Sequence, residues 1–436
     1  KHPNSVLVSA GDMISARPIT SALFLAAPSI HAMNAMGMEF NALGNHEFDR
    51  GRDEALRIQN GGCDQHTMRT PCAIEPFGGA QFKQLAGNTL TEDGGTLFPT
   101  YGIKCFGEGA RQVKGGLIGI STRATPQLVS PTGITGLTFD DEADAINRAV
   151  PKLKAEGADA VVVLIHEGGL TDGGYNTQSC DGLSGAIVPI LERLDPRVDA
   201  VISGHTHNAY ICDYGSVDAS HPILLTSAGS AGTLVTEMVL SIDPAANRVV
   251  ARRADNHIVQ SGAYSSSRGD VAPTDLYPRL TPRADIVALI DRYSAAARDV
   301  ANRPVGRLAG PAERGQDGAA GRLIADSQLA ATRQQGAQIA FMNPFGVRAD
   351  IVPAADGSVT YGQVFATQPF NNTLVTMTVT GAQIAAALEQ GFVKVDNFQA
   401  LAPSEGFTYR YDLRKPEGQR VFGILFNGKP LDPAAR

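Results

Sequence analysis

The chain has 436 residues, 43% of them hydrophobic, and a formal net charge of −7. Such length and apolar content predict two domains with packed cores and exclude a wholly disordered chain. The negative balance, with no block of Lys and Arg, excludes a groove that tracks a nucleic-acid polymer, and no apolar run is long enough to span a bilayer, since the stretch 22–38 is broken by Pro28 and His31.

In chain order, Val6-Leu7-Val8 is the first predicted strand and leads to Gly11-Asp12. Gly44-Asn45-His46-Glu47 then forms a polar loop opened by glycine. Two later segments share one design: a helix ends, an Asp-Ala pair follows, and a β-branched strand runs into a histidine. They extend from Asp159 to His166 and from Asp199 to His205, the second continuing as Thr206-His207. Short strands alternating with helical stretches make this part α/β, and loops past the carboxyl ends of such strands are where sites are built.

Thr281-Pro282 is read as a helix start with Thr281 as N-cap, and Ile286, Ile290, Tyr293, Ala297 and Val300 recur at helical spacing. Residues 281–302 are taken as a connector between a domain at 1–280 and another at 303–436. The later part carries predicted helices near 322–333 and 381–391 and a strand from Thr373 to Val379 with period-two alternation, so it reads as α+β. Asn427-Gly428 marks a hairpin turn that should lead into another strand.

None of the five cysteines forms a C-x-x-C pair. Cys63 and Cys72 flank a short polar loop, and Cys180 and Cys212 both lie just beyond the histidine segments. We expect the bridges Cys63–Cys72 and Cys180–Cys212, with Cys105 left over, and hence an oxidising compartment, periplasmic or secreted. The chain opens at Lys1 and drops almost at once into a strand, and it is expected to be trimmed at both ends.

Asp12, Asn45, His166, His205 and His207 are the ligand types a dinuclear metal site needs. A carboxylate can bridge two divalent ions, while an amide oxygen and neutral imidazoles complete each shell without cancelling its charge. Two such ions polarise phosphoryl oxygens and lower the pKa of a shared water, the expected nucleophile. Singly, each residue has a plainer reading: Gly-Asp as a turn, His166 as a hydrogen-bonded core histidine, Asn-His as loop chemistry. Their common placement at strand ends favours the site.

Gly11-Asp12, GNHEFD at 44–49, His166 and GHTH at 204–207 resemble the calcineurin-like metallophosphoesterases, and among them the bacterial 5′-nucleotidase/2′,3′-cyclic phosphodiesterase/UDP-sugar hydrolase family. The second domain carries the same resemblance in Arg314, Gly321-Arg322-Leu323, Asn343, Arg348, Tyr361 to Phe365 and Gln368-Pro369-Phe370. The resemblance implies a four-layer αββα metallophosphoesterase domain, a helical connector and a smaller, incomplete α+β nucleotide-binding domain. It makes Asp12 the bridging carboxylate, assigns Asn45, His166 and His205 to one metal and His207 to the other, and makes His46 and Asp49 the catalytic dyad. Arg314, Asn343, Arg348 and Phe370 would bind a small-molecule nucleotide. The two divalent ions could be Mn, Zn, Co or Fe.

Three departures stand out against the family pattern. The opening strand with its Asp-x-His motif and the terminal segment with a second stacking phenylalanine are absent. Pro344 and Phe345 occupy a turn that is commonly small or glycine-rich, and Arg322 replaces a frequent Asn. Two other readings keep the fold: a nucleotide-binding module with impaired or lost catalysis, and a thiosulfohydrolase-like sulfur-ester hydrolase.

Overall fold

The structure, a computed structural model, describes residues 2–109, 112–266, 269–370, 372–395 and 398–436. It contains two compact units: Lys1–Ser15 with Thr20–Ala295, and Ala16–Ile19 with Ala296–Arg436. No helix among the described residues is long and apolar enough to cross a membrane.

The first unit is built on two sheets. Leu7–Ser9, Met38–Ala42 and Lys83–Leu85 form a parallel three-stranded sheet in that order. In the six-stranded sheet, Leu224–Ala228, Ala200–Ser203, Ala160–Ile165 and Val113–Ile120 run parallel, with Ala209–Asp213 and Tyr101–Phe106 as antiparallel edges.

The two Asp-Ala pairs set the register of that larger sheet. Asp159 Oδ2 accepts from the Lys114 N–H at 2.7 Å, and Asp199 Oδ2 accepts from the Val161 N–H at 2.9 Å. Each aspartate therefore bonds to the chain beside it just before its own strand begins. The strands then deliver His166 and Gly204-His205 to the same end of the sheet.

Phe40, Ala42, Leu85, Leu117 and Leu164 fill the space between the sheets. On the outer face of the larger sheet, the helices Glu142–Ala155 and Ile187–Leu191 bury Ile146, Val150 and Ile187 against Ile118, Val163 and Ile165. On the far side, the helices Ala27–Met36 and Arg52–Asn60 bury Ile30 and Ile58 with Met38 and Phe82. Each such side chain stabilises the fold by roughly 1.5–3 kcal/mol on burial. The layers are helix, sheet, sheet, helix, as expected.

Both expected disulfides are present, Cys63–Cys72 and Cys180–Cys212, and Cys105 is free and exposed. The second closes 32 residues of sequence separation and the first only 9. Because a longer closed loop removes more entropy from the unfolded chain, losing Cys180–Cys212 should cost about 3–4 kcal/mol, and losing Cys63–Cys72 less. Urea midpoints of the two double serine variants check this; equal losses would contradict it. In the folded protein, thiol titration should find Cys105 alone.

The connector helix covers Ala284–Ala301, starting later than expected. Its first turn is closed by Val287 N–H donating to the Arg283 carbonyl, and the Arg283 guanidinium is held by Asp285 at 2.6 Å. An ion pair at the start thus replaces the Thr-Pro signal.

In the second unit, the helices Ala319–Thr332, Tyr361–Thr367 and Gly381–Gln390 combine with short antiparallel strands. Reciprocal side-chain and backbone bonds between Thr360 and Gln363, and between Thr380 and Gln383, cap two of these helices. Asn427 and Gly428 both have positive φ, 50° and 74°, and turn Val421–Phe426 into Lys429–Pro430 as expected. The strand expected from Thr373 to Val379 is not formed. Leu374, Val375 and Met377 are 49%, 75% and 76% exposed, so neither alternating face is covered. Alternation supplies a preference, but pairing and burial make a strand.

Candidate metal centre

Asp12, His166 and His205 come together: one potential ligand atom from each lies within 4.8 Å of the others. The His166 and His205 rings meet edge to face with centroids 5.1 Å apart. His166 Nδ1 lies 2.7 Å from the Ala10 carbonyl, a bond in which the ring N–H donates and the tautomer is fixed with Nε2 turned inward. Nε2 is 3.0 Å from Asp12 Oδ2.

Asn45 is buried, and its Oδ1 accepts no hydrogen bond among the described residues. A buried amide oxygen without a donor is costly. The Asp12 carboxylate with the His166 and His205 imidazoles makes a donor set suited to a divalent cation, and the Asn45 oxygen is of the same ligand type, so the residues present fit a metal.

Three of the expected ligands have left-handed backbone: Asp12 at φ 57°, His205 at 68° and His207 at 61°. Such conformations cost about 1–3 kcal/mol each for residues with a Cβ and cluster where function over-determines them. At Gly11, φ is 100°, and a Cβ there would stand 2.5 Å from His166 Nδ1, so only glycine fits. The loop bearing His205 and His207 is tied down by Thr206 Oγ1 and Asn208 Nδ2, both donating to the Gly169 carbonyl. His207 itself is exposed and stands outside the close group of ligand atoms.

His46 and Asp49 are paired as expected, Nδ1 to Oδ2 at 2.6 Å, with the Asp49 side chain only 3% exposed. The His46 backbone N–H donates to Asp12 Oδ1 at 2.9 Å and so anchors the pair to the ligand group. Burial works against a charged His46 ring, but the Asp49 hydrogen bond and the Asp12 charge raise its pKa above the usual imidazole value.

Charge is balanced tightly among these residues. Burial alone would raise the Asp12 carboxyl, yet the His166 and His46 rings hold it below the usual carboxylate range. His166 is disfavoured as a cation by burial but is pushed up to about 9 by Asp12. The same attraction that keeps a proton there favours a divalent ion, which competes with it. His205 is pulled down by burial and by the neighbouring His166.

Glu47 stands in the sequence only as a member of the polar loop 44–49, yet it organises the centre. Its side chain is buried, with Oε1 accepting from Met13 and Ile14 N–H at 2.7 and 3.2 Å. Oε2 accepts from Asp12 and Gly44 N–H at 2.9 and 2.6 Å. Asn41 adds a fifth tie, its Oδ1 accepting from the Gly11 N–H. A carboxylate within a glycine-opened loop was the available signal, but nothing in its spacing revealed its partners.

In the second unit, the expected nucleotide residues lie around one short turn. Asn343 Oδ1 accepts from the Gly346 N–H at 2.6 Å and caps the turn Pro344–Gly346. Arg314 Nη1 donates to the Arg348 carbonyl at 3.0 Å, and the Arg348 guanidinium lies over the Phe370 ring, 5.3 Å from its centroid.

Residues 1–209 match the family model described as calcineurin-like phosphoesterase, and residues 299–436 match that of the 5′-nucleotidase C-terminal domain. The chain is similar to endonuclease YhcR of Bacillus subtilis, 28% identical over 437 residues, covering 99% of this chain and 32% of that protein. It is also similar to cell wall protein Lmo0130 of Listeria monocytogenes, 29% identical over 419 residues, covering 89% of this chain and 49% of the relative. It therefore spans at most about half the length of these curated relatives. In fold it is similar to the crystal structure of a 5′-nucleotidase precursor from Thermus thermophilus, with a TM-score of 0.70 at 23% identity, covering 100% of this chain and 79% of that one.

Proposed function

Because the chain belongs to the family that joins a calcineurin-like phosphoesterase domain to a 5′-nucleotidase C-terminal domain, we propose that it hydrolyses phosphate esters of nucleotides. Nucleoside 5′-monophosphates are the leading substrates, with 2′,3′-cyclic nucleotides and nucleotide sugars next. The observation that carries this reading is the meeting of Asp12, His166 and His205, with His46 and Asp49 tied to them through the His46 N–H.

We assign the chemistry to residues 1–280 and nucleotide binding to 303–436. Asp12, Asn45, His166 and His205 would hold divalent metal, with His207 completing a second position. When bound, the ions supply Lewis acidity to a phosphoryl oxygen and acidify water. His46, kept in its charged form by Asp49, donates a hydrogen bond to the phosphoryl group and stabilises the charge that grows there. Arg314 and Arg348 offer guanidinium forks to a phosphate or ribose, and Asn343 a polar contact. Phe370, beside Arg348, supplies an aromatic ring on which a base stacks. The two disulfides support an oxidising compartment outside the cytosol for this work.

Product analysis by chromatography after incubation with AMP, 2′,3′-cyclic AMP, UDP-glucose and a short oligonucleotide, with and without chelator, tests the reading. Hydrolysis of AMP should vanish with the metal and return with Mn. Phe370→Ala should raise KM for AMP more than for a phosphate ester lacking a base. Chelator-insensitive turnover, or an oligonucleotide cleaved in preference to all three small substrates, would overturn it.

A further inference from the structure

Tyr210 is fully buried in the edge strand Ala209–Asp213, just beyond His207. Its hydroxyl lies 2.7 Å from Ser203 Oγ and accepts from the Gly169 N–H at 3.2 Å. Ser203 Oγ has one proton and donates it to the Thr226 carbonyl at 2.9 Å. At its contact with Tyr210 it must therefore accept, and one direction follows: Gly169 N–H to Tyr210, Tyr210 to Ser203, Ser203 to Thr226. Burial pushes the Tyr210 phenol up, so it keeps the proton that this chain of bonds needs.

Both sides of the Tyr210 hydroxyl lead to histidines. Gly169 follows His166 on the loop past the strand Ala160–Ile165, and Ser203 ends the strand Ala200–Ser203, directly ahead of Gly204-His205. The Gly169 carbonyl is engaged as well, accepting from Thr206 Oγ1 and Asn208 Nδ2, the residues that flank His207. One residue's backbone thus gathers three side chains from the segment 206–210. The two loops also press together: a Cβ on Gly168 would stand 2.3 Å from the Gly204 carbonyl.

A tyrosine kept only for packing needs a partner for its hydroxyl, but any buried carbonyl would serve. Here the partner is the backbone that also anchors the histidine loop.

We infer that Tyr210 is a positioning residue for the candidate metal centre, holding Gly169 so that the loop with His205 and His207 is set against the loop with His166. The inference rests on reading these histidines as ligands, and its test keeps the two apart.

Mn binding by calorimetry and hydrogen exchange of the metal-free chain are compared in wild type, Tyr210→Phe, Thr206→Val and the double variant. Tyr210→Phe should weaken Mn binding about tenfold or more and speed amide exchange over residues 204–209 about tenfold, with the strand Met38–Ala42 unchanged. Thr206→Val should also weaken Mn binding, and the double variant should lose less than the product of the single losses, since both release Gly169. A lower Tm with unchanged Mn affinity in Tyr210→Phe would reduce the phenol to core packing and overturn the inference. So would losses that multiply in the double variant. A wild type that bound no Mn would sink the ligand reading, yet exchange over 204–209 would still decide whether Tyr210 sets the loop, and no change there would overturn it. Ser203→Ala removes the acceptor of Tyr210 but no ring; it should speed exchange over the same residues and keeps the test decisive if Tyr210→Phe folds poorly.

Discussion

Replacing His46 with alanine should lower kcat by about 10²–10⁴ while the bound metal stays the same. The reason is geometric. The tie from position 46 to Asp12 is a backbone N–H, which alanine keeps, so the ligand carboxylate stays anchored. What disappears is the ring that Asp49 orients and whose charged form it favours. Asp49 is then left as a nearly buried carboxylate without its imidazole, so some stability should be lost too. Metal content by elemental analysis, beside steady-state rates, separates the two roles: a large fall in metal would make His46 a ligand rather than an acid.

A second large effect is expected at Glu47. Substituting alanine strands the N–H groups of Asp12, Met13, Ile14 and Gly44 and should destabilise the protein by about 3 kcal/mol. Metal affinity should fall about 10–100-fold, because these bonds hold Asp12 in its left-handed conformation. Glu47→Gln is the finer probe. Its carbonyl can serve one pair of N–H groups, but its amide sets donor against donor at the other. Burial and the Asp12 charge push the Glu47 carboxyl above its ordinary value, with the His166 charge and the backbone donors opposing them only in part. Mn binding by calorimetry should show the loss in both variants and none in Glu54→Gln, a buried carboxylate bonded to Arg57 instead. Unchanged Mn affinity in Glu47→Gln would remove Glu47 from the centre.

Much of this architecture could be read from residues in order. The two strands that start at Asp159-Ala160 and Asp199-Ala200 and end at His166 and His205 were legible because β-branched runs and their flanking turns are local signals. The disulfides followed from proximity to readable elements. Glu47 was not legible, because three of its four partners lie over thirty positions back in the chain and all four are backbone groups, which leave no mark in a sequence. The left-handed turns at Asp12, His205 and His207 were hidden for a related reason: only glycine advertises that conformation, and here histidine and aspartate bear its cost. The segment from Thr373 to Val379 shows the converse failure. Its alternation was a clear local signal, but the partner and cover that would complete it are tertiary facts.

The aspartates that pin the larger sheet also limit how this molecule can diversify. Between Asp159 and His166 the chain must climb a fixed ladder at ~3.3 Å per rung, with side chains alternating from face to face. Deleting or adding one rung would swing the imidazole to the opposite surface, away from Asp12. Length changes are therefore tolerable only in the connections beyond the pins, and new specificities must be written there while the strands keep their count.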